Sequence, residues 1–108
     1  MNYICGHNEQ AVSMSADGYA RMTDKPGLLM VTSGPGGTNA ITGVTGAWID
    51  SIPLFVISGQ SYSTQTIGKT GLRQLGVQEI NITDIVKPIT KYTVTVDNPL
   101  DIKYHLEK

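Results

Sequence analysis

The chain has 108 residues, a formal net charge of −1 at pH 7 and one cysteine, Cys5. This length accommodates one domain or part of one, and the balanced charge does not indicate a nucleic-acid or membrane-surface partner. No apolar run approaches the roughly 20 residues of a membrane helix, and residues 1–6 lack the features of a signal peptide. Because a lone cysteine forms no internal disulfide, we expect a reducing, cytoplasmic location, with Cys5 as a small buried hydrophobe.

The first third of the sequence predicts a strand, a helix and a second strand. Residues Tyr3–Cys5 are β-prone and predict the end of a strand. Small side chains recur on one face of Asn8–Met22, which predicts a helix that lies close to a sheet. A turn over residues 24–27 follows. The continuous apolar run of Leu28–Thr32 is typical of a strand that is buried on both faces.

A glycine-rich turn leads into the next helix and strand. Residues Ser33–Gly37 break the strand, and Thr38 or Asn39 can cap a helix that runs to about Asp50. The segment Leu54–Ser58 is again apolar and predicts a second buried strand.

The rest of the chain is less regular. Residues Gly59–Val77 are polar and predict a long functional loop, followed by a short helix over Gln78–Val86. Alternation over Thr90–Val96 predicts a strand, and Asn98 with Pro99 predicts the start of a last helix. This order predicts an α/β fold with a parallel sheet flanked by helices. Ligands are then expected beyond the carboxyl ends of the strands.

Three polar features follow strand ends: His7–Gln10, Gly34–Asn39 and Gly76–Glu79. From spacing alone, Glu9 is interpreted as a first-turn carboxylate stabilised by the helix dipole. Gln78 and Glu79 are interpreted in the same way as a solvated helix start. The glycine turn presents backbone N–H groups, but it matches neither GxGxxG nor a P-loop. A generic nucleotide-binding α/β domain is therefore disfavoured.

Four blocks together carry a specific resemblance: HNEQAVSMSADGYAR, TSGPGGTN, AWIDSIPLFVISGQ and GVQEINITDIVKPITKY. In this order they resemble the N-terminal pyrimidine-binding domain of acetolactate synthase-like thiamine-diphosphate (ThDP) enzymes, from about His7 to Tyr92. The resemblance implies a ThDP-binding pyrimidine-domain fold. It also implies that residues 1–108 are a single partial domain of a larger enzyme, lacking its first strand and helix.

The resemblance makes Glu9 the catalytic residue. In the family, a glutamate at this position hydrogen-bonds N1′ of the aminopyrimidine ring and favours its imino tautomer. The 4′ nitrogen can then take the proton from C2 of the thiazolium ring. Because the carboxyl group must carry or share a proton, we expect burial to raise the pKa of Glu9.

The resemblance also assigns binding residues. Pro35, Gly36 and Asn39 would line the pyrimidine pocket, with glycine where a Cβ would strike the ring. Gln78 would lie near both cofactor and substrate, and Val77 beside it near the substrate.

The sequence departs from the family pattern around the substrate. Val77 stands where relatives usually carry an aromatic residue, the loop Ile67–Gln74 is longer, and Asn81 replaces a common aspartate. The resemblance implies that the substrate is either pyruvate, as in acetolactate synthesis, or another 2-oxoacid used by a decarboxylase or acyltransferase. Arg73 is either a partner for the substrate carboxylate or a surface residue.

Family members hold the diphosphate through Mg²⁺ on another domain, marked by Gly-Asp-Gly and a following Asn. Residues 1–108 contain neither this motif nor metal-ligand spacing. The resemblance therefore implies a half-site that is inactive alone. Its partner would be the diphosphate-binding domain of another subunit in a homodimer or tetramer. A truncated, non-catalytic homologue is the alternative.

Overall fold

The computed structural model describes residues 3–108, and its first half alternates helices and strands as predicted. The helices and strands are α1 (Glu9–Thr23), β1 (Gly27–Val31), α2 (Pro35–Ile49), β2 (Leu54–Ser58), α3 (Ile82–Val86) and α4 (Ile102–Glu107). Short 3₁₀ turns cover Ser63–Gln65, Lys87–Ile89 and Pro99–Asp101.

Strands β1 and β2 form a parallel pair, with Gly27 opposite Leu54. Helices α1 and α2 pack against one face of this pair. The buried core joins Ala16 of α1, Leu29 of β1 and Ala40 of α2. A parallel pair connected through a helix is the βαβ arrangement of α/β folds, so the predicted fold class is confirmed.

Helices α1 and α2 approach each other closely because small residues lie between them. Ser13 is fully buried, and Gly43 of α2 lies against it. A Cβ at position 43 would collide with Ser13 Oγ and would lie 2.7 Å from Ser13 Cβ. The predicted small-residue face of α1 is therefore present, with Ser13, Ala16 and Ala20 as its buried positions.

The other face of the sheet is open in the described part of the chain. Leu28 and Met30 of β1 pair in register with Phe55 and Ile57 of β2, and all four side chains are exposed. Met30 is the most exposed of them, at 68%. The prediction that both strands are buried on both faces is therefore wrong for residues 3–108, because α1 and α2 cover one face only.

Two predicted strands do not form. Residues Tyr3–Cys5 have no regular structure, and Cys5 is exposed rather than buried. Residues Thr90–Val96 are also irregular, although they are β-branched and alternating. A strand needs a hydrogen-bonded neighbour, and within residues 3–108 neither segment pairs with β1 or β2.

The two later α-helices both begin after the predicted residues. Helix α3 begins at Ile82 rather than Gln78, because the φ of Gln78 is +55° and does not fit a helix. The predicted start at Asn98 and Pro99 is a 3₁₀ turn, Pro99–Asp101, that leads into α4 at Ile102, and Asn98 Oδ1 accepts a hydrogen bond from Leu100 N at 3.1 Å.

Candidate functional site

The carboxyl ends of β1 and β2 meet at one edge of the sheet, where a hydrogen bond of 2.9 Å joins Gly59 N to Val31 O. Gly34 caps α2 with φ +58° and ψ −114°, and Pro35 is the first helical residue. Glycine tolerates positive φ, and proline fits the first helical position because it needs no N–H partner there. The prediction that Thr38 or Asn39 caps this helix is therefore wrong, and the helix starts earlier.

Glu9 lies at this edge as the first residue of α1. Asn8 caps the helix by accepting a hydrogen bond from Ala11 N at 3.1 Å. Asn39 of α2 donates a hydrogen bond from Nδ2 to Glu9 Oε2 at 2.8 Å. The other carboxylate oxygen, Oε1, would lie 3.4 Å from a Cβ at Gly36. The structure thus brings together three of the predicted site residues, Glu9, Gly36 and Asn39.

The pKa of the Glu9 carboxyl is lowered from its ordinary value of 4.5. The hydrogen bond from Asn39 is the main cause, because it favours the charged form. The backbone N–H at the start of α1 acts in the same direction, and burial opposes both more weakly. The prediction of a raised pKa is therefore wrong for this chain by itself.

Gly36 is required by the packing of the chain itself. A Cβ there would lie 2.5 Å from Thr32 Cγ2, a separation that real Cβ atoms do not show. This contact is enough to explain the glycine without a ligand. The close approach of Gly36 to a cofactor ring stays a prediction.

Pro35 and Gln78 line a separate open cleft of about 370 Å³. Its lining consists of Gly34, Pro35, Thr38, Gln74, Gln78, Glu79 and Ile80. Gln78 packs directly against the turn, since a Cβ at Gly34 would collide with Gln78 O. Glu9 and Asn39 do not border this cleft, so the predicted cofactor-binding residues fall into two neighbouring groups rather than one pocket.

Val77 and Gln78, the two predicted substrate residues, border a second cleft of about 320 Å³. Val77 is 80% exposed, and its carbonyl accepts a hydrogen bond from Ser61 Oγ at 3.2 Å. Gln78 borders both clefts. Arg73 is exposed and borders neither cleft, so no contact here distinguishes its two predicted roles.

Glu79 has more partners than the sequence indicated. Its carboxylate accepts hydrogen bonds from the backbone N–H groups of Ile67, Leu75 and Gly76. The solvated helix start expected for Gln78 and Glu79 is therefore wrong. The sequence offered one usable signal, a carboxylate immediately after a long glycine-containing loop, because backbone N–H groups of such loops need acceptors.

Residues 3–108 contain no group of three or more His, Cys, Asp or Glu side chains that could hold a metal ion. In the same residues, no helix has the length and apolar character needed to cross a membrane.

The comparison with protein families matches residues 1–85 to the N-terminal TPP-binding domain of thiamine pyrophosphate enzymes. The chain belongs to this family. Thiamine pyrophosphate is another name for thiamine diphosphate, so the predicted family, enzyme class and cofactor are confirmed at this level.

Curated relatives show which members of this family the chain is similar to. The acetolactate synthase large subunit of Buchnera aphidicola subsp. Schizaphis graminum (strain Sg) is 44% identical over 108 residues, which is 100% of this chain and 18% of the relative. The acetolactate synthase isozyme 3 large subunit of Escherichia coli (strain K12) is 42% identical over 108 residues, 100% of this chain and 18% of the relative. The acetolactate synthase large subunit of Lactococcus lactis subsp. lactis (strain IL1403) is 38% identical over 102 residues, 94% of this chain and 17% of the relative.

The chain thus spans less than a fifth of the length of these relatives. The part of this chain that matches the family model includes Glu9, the glycine turn and the loop to Glu79.

Proposed function

We propose that the chain supplies the pyrimidine-binding half of the active site of an acetolactate synthase-like 2-oxoacid decarboxylase and carboligase. The observation that carries this proposal is the Glu9 carboxylate, oriented by Asn39 at 2.8 Å beside Gly36. These residues lie at the carboxyl edge of a parallel sheet, which is where α/β folds bind ligands. Similarity to acetolactate synthase large subunits supports acetolactate as the product.

The residues at this edge fit the pyrimidine end of ThDP. When bound, ThDP supplies the carbon that attacks a 2-oxoacid and the electron sink for its decarboxylation. Glu9 would hold a proton against the ring nitrogen N1′, and Asn39 would keep the rotamer of Glu9 fixed through its hydrogen bond to Oε2. In the assembled site, Gly36 beside Glu9 and Pro35 at the neighbouring cleft would adjoin the ring.

Glu9 would be protonated in the assembled site rather than in the chain alone. In the chain alone, the hydrogen bond from Asn39 lowers the pKa of Glu9, which favours the carboxylate. Covering the carboxyl group with cofactor and a second domain removes water, and this desolvation raises the pKa. The proposal therefore needs the partner domain for chemistry as well as for binding.

Gln78 and Val77 would meet the 2-oxoacid at the second cleft, with pyruvate as the first candidate. Gln78 can donate to a keto or carboxylate oxygen, whereas Val77 offers only apolar contact. Because Val77 replaces the usual aromatic residue, a decarboxylase or acyltransferase for a different 2-oxoacid is the alternative substrate assignment.

The remaining parts of the proposal concern what lies outside this half-site. Mg²⁺ and the diphosphate would be held by the diphosphate-binding domain of another subunit, in a cytoplasmic homodimer or tetramer. The chain by itself would then be inactive. A non-catalytic homologue would keep the fold and lack cofactor binding.

The test replaces Glu9 by glutamine in the full-length protein, with Glu107→Gln as a control on exposed α4. Deuterium exchange at C2 of ThDP and acetolactate formation from pyruvate are measured. Since general acid–base catalysis contributes about 10²- to 10⁴-fold, Glu9→Gln is expected to slow both by about 100-fold or more, and Glu107→Gln neither. Wild-type C2 exchange in Glu9→Gln would remove Glu9 from the mechanism. Acetolactate formation by the isolated 108-residue chain would contradict the half-site.

A further inference from the structure

The Glu79 carboxylate is the acceptor for three backbone N–H groups of the loop that precedes it. Oε1 accepts from Ile67 N at 2.6 Å, and Oε2 accepts from Gly76 N at 3.0 Å and from Leu75 N at 3.2 Å. One side chain therefore ties both ends of a ten-residue stretch, 67–76, to the segment that follows it.

Apolar burial does little to hold this loop. Of its three large hydrophobic side chains, Leu72 and Leu75 are each about half exposed, at 53% and 51%, and Ile67 is only partly buried. Loops with few buried apolar contacts open at low free-energy cost. Charge-assisted hydrogen bonds are stronger than neutral ones, so the carboxylate of Glu79 is the main restraint on the loop.

The charge state of Glu79 agrees with this role. Burial by itself would raise the pKa of Glu79, but the hydrogen bonds from Gly76, Ile67 and Leu75 together outweigh burial and lower it. The side chain is therefore a carboxylate at neutral pH, with both oxygens available as acceptors.

The restrained loop leads directly into the candidate substrate residues. Gly76 is buried against Ser61, and a Cβ there would collide with Ser61 Oγ. Gln78 follows with φ +55°, and its carbonyl packs against Gly34. Gln74 of the loop lines the first cleft, and Gln78, two residues beyond the loop, borders both clefts.

We propose that Glu79 is a positioning residue that clamps the loop 67–76 through three backbone amides and thereby holds Gln78 between the two clefts. Glu79 does not itself act on the substrate. The consequence for the 2-oxoacid rests on the proposed function above, whereas the clamp itself does not.

The clamp is tested by amide hydrogen exchange on the full-length protein, in the wild type, in Glu79→Gln and in Glu107→Gln. Glutamine keeps the size of the side chain but replaces one acceptor oxygen by a donor. Since a hydrogen bond to a charged group contributes enough for about a tenfold change in an opening equilibrium, the amides of Ile67, Leu75 and Gly76 are expected to exchange about tenfold faster or more in Glu79→Gln. Amides of α1 and β1 should keep their rates.

Unchanged exchange of the three amides would overturn the clamp. Faster exchange throughout α1 and β1 would also overturn it, because Glu79 would then support the whole fold rather than the loop. The Glu107→Gln variant should match the wild type, since Glu107 pairs only with Lys103 at 3.7 Å among residues 3–108.

A kinetic measurement separates positioning from catalysis. In Glu79→Gln the KM for pyruvate is expected to rise about tenfold, in line with the same hydrogen-bond loss, while C2 exchange of ThDP stays within about twofold. A fall in C2 exchange as large as that in Glu9→Gln would overturn the positioning role. If the wild type forms no acetolactate, the proposed function fails, and the exchange measurement still decides the clamp.

Discussion

Replacing Gly43 by alanine tests whether the contact between α1 and α2 is as close as the structure indicates. The new Cβ would collide with Ser13 Oγ and would lie 2.7 Å from Ser13 Cβ and 2.8 Å from Met14 N. Ser13 is fully buried and donates to Gln10 O at 2.8 Å, so it cannot move aside easily. This contact matters for the site because α1 carries Glu9 and α2 carries its hydrogen-bond partner.

Gly46 provides a matched control in the same helix. A Cβ at Gly46 meets nothing within 4 Å. In a helix interior, alanine is more stable than glycine by roughly 0.5–1 kcal/mol, and both variants gain this amount. Overpacking costs about 1–3 kcal/mol, and only Gly43→Ala incurs this cost. The free energy of unfolding of Gly43→Ala should therefore lie about 1–3 kcal/mol below that of Gly46→Ala.

Urea unfolding followed by far-UV circular dichroism measures the difference between the two variants. The further substitution Ser13→Gly should restore part of the stability of Gly43→Ala, because it removes both side-chain atoms that the new Cβ meets. The contact with Met14 N remains, so the rescue should be incomplete. Equal stability of Gly43→Ala and Gly46→Ala would refute the close packing of α1 on α2.

Two further predictions concern the edge of the sheet. Asn39→Ala removes the hydrogen-bond donor that lowers the pKa of Glu9. The pKa of Glu9, measured by carbon NMR titration, should therefore rise in this variant. An unchanged pKa would show that Asn39 is not the cause. Because the pKa of Glu9 is lower in the folded state, Glu9 contributes stability above its unfolded-state pKa. This contribution is lost as the pH falls through the folded-state pKa. Asn39→Ala should therefore make the free energy of unfolding less sensitive to acid. Gly34→Ala adds strain at φ +58° and a collision with Gln78 O, whereas Gly71→Ala adds strain alone at φ +76°, since no atom lies within 4 Å of its Cβ. The collision should lower the free energy of unfolding of Gly34→Ala by about 1–3 kcal/mol more than that of Gly71→Ala, and equal losses would show that Gln78 does not pack against the turn.

Hydrophobic pattern was sufficient to predict the βαβ core. The run at Leu28–Thr32 and the run at Leu54–Ser58 both became strands within one residue of the expected bounds. Pattern also predicted a strand over Thr90–Val96, where none forms. Alternation describes which side chains would share a face, but a strand also needs a hydrogen-bonded neighbour, and local sequence does not reveal whether that neighbour is present.

The candidate site was predictable to the extent that its residues lie at helix starts, although the strand expected before Glu9 does not form. Glu9, Gly36 and Asn39 come together because their segments begin at the same sheet edge. The role of Glu79 was not predictable in this way. Its three partners lie up to twelve residues away in an irregular loop, and no periodicity relates loop amides to a carboxylate. The positive φ of Gln78 was not predictable from the sequence either, because tertiary contacts rather than residue type impose it.

The two carboxylates at this edge are ionised for different reasons, and the difference separates their proposed roles. Glu79 directs both oxygens at backbone amides of its own loop, so its charge is satisfied inside the chain and a ligand would add nothing to it. Glu9 has one side-chain donor, Asn39, on Oε2, and its other oxygen lies beside the side-chain-free Gly36. A carboxylate with an acceptor oxygen to spare can take a proton-bearing ring nitrogen, whereas one with all its acceptors engaged is suited to holding the protein in place. This difference in hydrogen bonding supports the proposed division of roles, with the chemistry at Glu9 and the positioning at Glu79.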